Sequence, residues 1–241
     1  MMVKTRAIVL RSIKFGDSSL IVDMFTEEIG RISFIVRIPR TSRGKIKKQF
    51  FQPMNILYLE FDHRTRVELQ RLKDVSIAYP FFSIPFEPTK MSILLFLAEF
   101  LFYTTRNELQ NVNLFKYIVS SLEWLDNVRD SFANFHLVFM LRLSKFIGFF
   151  PNFEDYSPGC FFDLRNGCFC LKIPFHSDFL SPQEVGVVGD LMRMNYETMR
   201  LFRLSHSDRN RITELTLYYY RLHITSMPEL QSFHVLRTLF A

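Results

Sequence analysis

The densest run of side chains able to do chemistry lies between residues 37 and 53, RIPRTSRGKIKKQFFQP. Arg37, Arg40, Arg43, Lys45, Lys47 and Lys48 place six cations there with no carboxylate among them. Nothing local neutralises them, so they repel one another and favour an extended segment until an anion binds. Phosphates relieve that repulsion while condensed counterions are released, which makes binding of this kind steeply salt-dependent. Thr41, Ser42 and Gln49 can add neutral hydrogen bonds to phosphate oxygens. Phe50 and Phe51 follow at once; they either stack on bases or open the next strand and face the core, the commoner fate of a phenylalanine. The competing reading of the run is a solvated charge cluster that serves solubility alone.

A second concentration is Cys160, Cys168 and Cys170, with His176 beyond. Asn166-Gly167 sits between short alternating segments and predicts a two-residue hairpin turn with both residues at positive φ. That register pairs Arg165 with Cys168 and Asp163 with Cys170, and puts Cys160 on the opposite face from the other two thiols. Cys160 then shares an apolar surface with Phe162, Leu164, Phe169, Leu171 and Ile173. Cys-x-Cys also lacks the spacing of a structural zinc knuckle, so no metal cofactor is expected. For catalysis the search is negative: no phosphate-binding glycine loop, no nucleophile elbow and no His-Glu-x-x-His helix. Glu27-Glu28 and Glu154-Asp155 raise two-metal nuclease chemistry, but each pair adjoins a turn signal and reads better as solvated surface.

These residues need elements to hold them, and the charge distribution divides the 241-residue chain in two. Residues 1–80 carry 15 Lys+Arg against 8 Asp+Glu, and the remainder 15 against 16, so the positive excess sits in the first third. A segregated basic region favours a polyanion, either nucleic acid or an acidic membrane surface. The amino terminus lacks a signal-peptide stretch, and the longest apolar run, Met91 to Phe102, is interrupted by Glu99 and too short to span a bilayer, so a cytoplasmic protein is expected. Three cysteines make a disulfide framework unexpected.

From Arg6 to Lys73 the hydrophobic pattern has period two, with strands predicted at 6–13, 20–26, 31–38, 54–61 and 66–73. In the third, Ile32, Phe34, Val36 and Ile38 share one face, and Arg31, Ser33, Ile35 and Arg37 the other. Five strands in about 75 residues match an OB-type barrel. A proline-punctuated linker follows Pro80, and helical spacing predicts helices at 90–105, 112–127, 131–149, 182–194, 208–223 and near 228–240, with Thr89, Ser181 and Ser207-Asp208 as start signals. The expectation is thus an α+β protein: an OB-fold barrel over 1–80 that carries the candidate polyanion-binding loop, then a mainly helical domain over 81–241 with a β-hairpin inserted at about 160–173.

The segments Ala7-Ile8-Val9-Leu10-Arg11, Phe15-Gly16-Asp17-Ser18-Ser19-Leu20-Ile21-Val22 and Phe25-Thr26-Glu27-Glu28-Ile29-Gly30-Arg31, with the basic loop behind them, resemble the amino-terminal region of RecO proteins. The resemblance continues through Gln52-Pro53, Leu114-Phe115 and Leu143 to Pro151, and covers essentially the whole chain. It implies an OB-fold joined to a helical domain, no enzymatic turnover, and a role in recombinational DNA repair by the RecF pathway. It further implies binding of single- and double-stranded DNA, annealing of strands coated with single-strand-binding protein, and action with RecR to help load RecA. Recognition of the acidic, Phe-ended tail of the coating protein would require an apolar pocket rimmed by cations. Arg200, Arg203, Arg209, Arg211 and Arg221, with His206 and His223 nearby, are the candidate rim, against the alternative of an ordinary solvated helix face. Some family members carry a four-cysteine zinc site where this chain has its three cysteines. This chain departs from them. The alternatives to a mediator are a metal-dependent nuclease and a basic adaptor on anionic lipid.

Overall fold

The computed structural model describes residues 1–39, 46–152 and 154–239, the last by its backbone alone. Alternation drives the first five strands, because inward side chains at every second position must leave water together. They are β1 (Met2–Phe15), β2 (Ser19–Thr26), β3 (Gly30–Arg37), β4 (Ile56–Asp62) and β5 (Leu69–Tyr79). They close a barrel in the order β1-β2-β3-β5-β4, with β4 pairing back to β1. All pairings are antiparallel except β3–β5, a short parallel seam of Ser33↔Leu69, Phe34↔Gln70 and Ile35↔Arg71. This is the OB topology expected. Val9, Val22, Met24, Phe34, Leu57 and Phe61 fill the interior, with Phe34 and Phe61 meeting edge to face at 4.9 Å.

Two strands depart most from the prediction, and β4 starts two residues late, at Ile56. β1 extends at both ends, and β5 starts at Leu69 and runs on to Tyr79. Bulges in the β4–β5 pairing absorb the irregular stretch around Asp74 and let Val75 return to the core.

Beyond the barrel lie α1 (Pro88–Thr104), α2 (Val112–Asn127), α3 (Phe135–Phe146), the hairpin strands β6 (Phe161–Asp163) and β7 (Cys168–Cys170), β8 (Phe179–Leu180), α4 (Val185–Arg193), α5 (His206–His223) and α6 (Gln231–Leu239). The first helix begins a residue before Thr89: Glu87 is the cap residue and Pro88 takes the first position, where a missing N–H costs nothing. Ser205, not Ser207, caps α5, accepting from the Asp208 N–H at 3.1 Å. At the fourth helix only half of the expected capping box forms: the Glu184 carboxylate accepts from the Ser181 N–H and hydroxyl, the Glu184 N–H goes to the Ser181 carbonyl, and the helix itself starts only at Val185.

Two compact units result, residues 1–127 with 230–239, and residues 128–229. The expected boundary at residue 80 falls at the end of the barrel strands, whereas compactness groups α1, α2 and α6 with the barrel. In the first unit, α1 is apolar on most of its circumference because it packs on β1 and on α6. Phe96 meets Phe233 at 6.1 Å, and Glu99 caps α6 by accepting from the Gln231 and Ser232 N–H groups. In the second unit, α3 and α5 are joined by buried polar contacts, Tyr220 Oη to the Met140 carbonyl at 2.6 Å and His136 to Thr213 at 3.0 Å.

Candidate nucleic-acid interface

The basic run leaves the barrel at the end of β3 and returns before β4. Its first foot is tied by the Ile38 N–H donating to the Ser18 carbonyl at 2.7 Å, with Arg37 exposed beside it. Its second foot is a 3-10 turn, Lys48–Phe51. There Phe51 is buried in the barrel core and Phe50 packs against it, so both rings serve packing as the commoner reading had it. Asn55 holds the turn by donating to the Gln49 and Phe50 carbonyls, and Met54, at φ 67°, donates its N–H to Val9. Lys47 and Lys48 are exposed on this foot. Arg40, Arg43 and Lys45 lie outside the described residues.

Strand register sets the outer face of the barrel in rows. The row Arg11↔Asp23↔Ser33 is covered, since Phe102 of α1 lies under the guanidinium groups of Arg11 (5.0 Å) and Arg31 (4.5 Å). Arg31 also reaches Asp23 at 3.5 Å, and burial holds its guanidinium below the ordinary value. The next two rows are open: Ile13↔Ile21↔Ile35↔Arg71, and Phe15↔Ser19↔Arg37. Ile13 and Phe15 are exposed by 39% and 52%, large values for apolar side chains, and Arg37 and Arg71 are exposed at the far end of the rows.

Two cavities adjoin along the β3–β5 seam. One, of about 310 Å³, is lined by Ser19, Ile35, Arg37, Ile46 and Arg71 among others. The second, of about 500 Å³, shares Ile35, Arg71 and Leu72 and runs on to Arg64, Val67 and Lys73. Gln70 fixes the β4–β5 loop that carries Arg64, its amide bonding both the Arg64 N–H (3.0 Å) and carbonyl (2.9 Å). Lys73 is held by Asp62 at 3.0 Å. Among the described residues Arg37, Lys47, Lys48, Arg64 and Arg71 have no carboxylate within ion-pair distance. Phe15 and Arg71 escaped the sequence reading, which saw a turn residue and a strand cation; only the register places them near Arg37.

The five arginines proposed as a rim are placed differently. Arg200 and Arg203 are exposed around a 3-10 turn at Met199–Leu201. Arg209 turns inward, donating to Asn134 Oδ1 (3.0 Å) and the Leu204 carbonyl (3.1 Å), and burial lowers its pKa. Arg211 pairs with Glu184 at 2.7 Å and borders a cavity of about 230 Å³ floored by Leu180, Val187, Ile212 and Leu215. Arg221 lies 5.9 Å from the Tyr218 ring and 3.9 Å from Glu229. His206 contacts Asn210, and His223 stacks on Phe149.

The cysteine hairpin forms with its register moved by two residues from the prediction: Asp163 pairs with Cys168 and Phe161 with Cys170. The Asp163 carboxylate accepts from the Arg165 and Asn166 N–H groups, and the Gly167 N–H closes on the Asp163 carbonyl at 2.8 Å. That builds a four-residue loop in which Gly167 alone takes positive φ. A shift of two keeps the faces. Cys160 is buried with Phe162, Leu164 and Phe169, while Cys168 and Cys170 are half-buried on the other side. Leu171 and Ile173, expected on the apolar face, are exposed instead. The three thiols therefore do not converge on one metal position. Burial, then the Asp163 carboxylate, pushes the Cys168 and Cys170 thiols up, away from thiolate. Among the described residues no three His, Cys, Asp or Glu groups are disposed to hold an ion. Of the acidic pairs, Glu27 is held by a bidentate Arg6 at 2.8 Å, which lowers its pKa. Glu28, Glu154 and Asp155 are exposed.

Comparison with known proteins divides the chain at the end of the barrel strands and not between the compact units. Residues 1–81 match the family "Recombination protein O N terminal", and residues 85–230 match "Recombination protein O C terminal". The chain belongs to the RecO family. Similar RecO relatives, each named DNA repair protein RecO, include those of Phocaeicola vulgatus and Bacteroides fragilis. Each is 46% identical over 241 residues, covering the whole of both chains. The RecO protein of Flavobacterium psychrophilum is 33% identical over 243 residues, again the whole of both chains. The first RecO match ends two residues after β5, so it coincides with the barrel. No described helix is long and apolar enough to cross a membrane.

Proposed function

We propose that this RecO family protein is a mediator of recombinational DNA repair that acts by binding and not by turnover. It binds single- and double-stranded DNA through Arg37, Arg40, Arg43, Lys45, Lys47 and Lys48, and anneals complementary strands. With RecR it helps RecA onto DNA coated by single-strand-binding protein, whose tail docks on the helical part of the chain. The observation that carries the reading is the rim of the closed barrel where the chain leaves β3 and returns before β4. Arg37, Lys47 and Lys48 project there without carboxylate partners among the described residues, at the two feet of a six-cation run. Such a surface gains free energy by exchanging counterions for phosphates. The thiols, split between two faces of the hairpin, fit a protein that works without resident zinc; one equivalent of zinc in purified protein would overturn that part.

The test replaces Arg40, Arg43, Lys45, Lys47 and Lys48 by Glu and follows fluorescence anisotropy of a labelled oligonucleotide against salt. Removing five single-strand contacts by charge reversal is expected to flatten the slope of log K against log salt by about 3.5, at roughly 0.7 per phosphate, with melting unchanged. Unchanged affinity refutes the loop assignment. Annealing of coated oligonucleotides without nucleotide or metal tests the mediator step, and product strands shorter than the input would favour a nuclease.

A further inference from the structure

We propose that the open rows of the barrel's outer face form a single-strand seat in which Phe15 stacks on a base while Arg37 and Arg71 take the flanking phosphates. The inference rests on the DNA-binding reading above and specifies where the strand goes once it leaves the basic loop.

Three observations carry it. First, Phe15, Ser19 and Arg37 lie in one cross-strand row, and Ile13, Ile21, Ile35 and Arg71 in the next, all directed away from the core. Adjacent strands are about 4.8 Å apart, so the ring and the Arg37 backbone are separated by roughly 10 Å, within reach of one nucleotide and its two long-armed neighbours. Second, the two cavities that meet at Ile35, Arg71 and Leu72 continue the path from the loop's feet toward Arg64. Apolar side chains floor this groove and cations edge it, the combination that seats bases while drawing in a backbone.

Third, the surroundings of other exposed aromatic rings in this unit suit nucleic acid poorly. Tyr58 borders a hollow lined by Glu27, Glu28, Glu60 and Asp74, and Phe82 and Phe86 sit in the linker before α1. Phe15 has Arg37 two strands over in its own row and Arg71 at the end of the next. Asp17, in the adjoining turn, and Asp62, held by Lys73, are the opposing carboxylates, and they are outnumbered. A stacked base has no preferred identity, because every base offers a π face, so the seat is sequence-tolerant.

The seat predicts that ring and cations act separably. Phe15→Ala should weaken binding of a dT oligonucleotide about 5- to 150-fold, the equivalent of about 1–3 kcal/mol for one stacked base. Its salt slope should not change, and duplex binding should be nearly unaffected. Arg71→Gln should instead flatten the single-strand slope by about 0.7. Phe15→Leu separates stacking from mere apolar contact: full rescue would overturn the ring's role. A direct readout comes from Phe15→Trp combined with Trp124→Phe, which moves the chain's single tryptophan to the seat; dT binding should quench its fluorescence. Phe15 lies exposed at a strand end, so the single Phe15 variants should melt like the parent, and the double variant is compared with Trp124→Phe alone. If Phe15→Ala leaves dT affinity unchanged, or weakens duplex equally, the seat is refuted while the loop reading stands. If neither this variant nor the loop variant alters binding, the DNA reading itself fails.

Discussion

Asp126, the penultimate residue of α2, offers the sharpest test of how the barrel unit is held together. Its carboxylate accepts from three successive backbone N–H groups of the linker, Phe82 (2.9 Å), Ser83 (2.8 Å) and Ile84 (3.0 Å). Lys90, almost fully buried, donates to Ser83 Oγ and to the Asp126 carbonyl. Asp126→Ala would leave the fully buried Ile84 N–H without its acceptor and remove the carboxylate that most favours the buried Lys90 ammonium, whereas Phe82 is itself exposed. An unsatisfied buried donor costs about 1–3 kcal/mol, and removing one partner of a buried charge pair about 3–5 kcal/mol. Because the two losses overlap, we expect about 3–5 kcal/mol in all. Asp126→Asn keeps one acceptor oxygen but turns an NH2 toward a donor, and should cost about half as much. Trp124, two residues away in α2, is the only tryptophan and reports on this unit. With a urea slope of about 2 kcal/mol per molar, its unfolding midpoint should fall by about 2 M in Asp126→Ala.

Burial alone would raise the Asp126 pKa, but the N–H groups of Phe82, Ile84 and Ser83 outweigh it and hold it below the usual range. Its stabilisation is therefore complete above the ordinary carboxylate pKa and lost as pH falls through the depressed folded value. The acid limb of stability should flatten in Asp126→Asn. A midpoint shift below about 0.3 M, or Asn costing as much as Ala, would refute the reasoning.

Two further predictions concern buried groups and backbone. Burial, helped by Arg209, pushes the His136 pKa down to about 3. Between the unfolded value near 6.5 and that figure the unfolded chain binds the extra proton, so stability of the second unit should fall with pH across this window. His136→Gln should flatten the fall, and an NMR titration showing His136 protonated near pH 6 would refute it. Gly30, at φ 91°, faces the Glu108 and Leu109 backbone so closely that an added Cβ would lie 2.4 Å from the Leu109 carbonyl, whereas Gly16, at φ 62°, faces open space. Gly30→Ala should cost several-fold more than the roughly 1 kcal/mol of backbone strain at Gly16→Ala, judged by thermal melting; equal costs would refute the contact.

Much of this architecture was legible because it depends on patterns within single segments. Alternation disclosed all five barrel strands, and the uncompensated cations disclosed the loop. What stayed hidden depends on which segments meet. The hairpin register slipped by two because the Asp163 carboxylate builds the turn, a choice that Asn166-Gly167 alone does not reveal. Phe15 and Arg71 sit 56 positions apart in the chain, and neither has meaning until β1, β2, β3 and β5 are laid side by side. Arg209 reads in the sequence as one cation of a candidate rim, and only the fold turns it inward onto Asn134. Ile173 and Leu171 kept the apolar alternation of a strand but lie past the last paired residue, where nothing covers them.

The return of α6 to the barrel unit orders events during synthesis. The barrel strands, α1 and α2 emerge from the ribosome first, yet the helix that covers Phe96 and is capped by Glu99 begins only at residue 231. At about 5–20 residues per second, the intervening residues 128–229 take roughly 5–20 s to translate. The second unit has its whole sequence before the first does. For that interval one side of α1 stays uncovered, and a nascent chain stalled within it would present a phenylalanine-rich helix face to whatever chaperone or neighbouring chain is nearest.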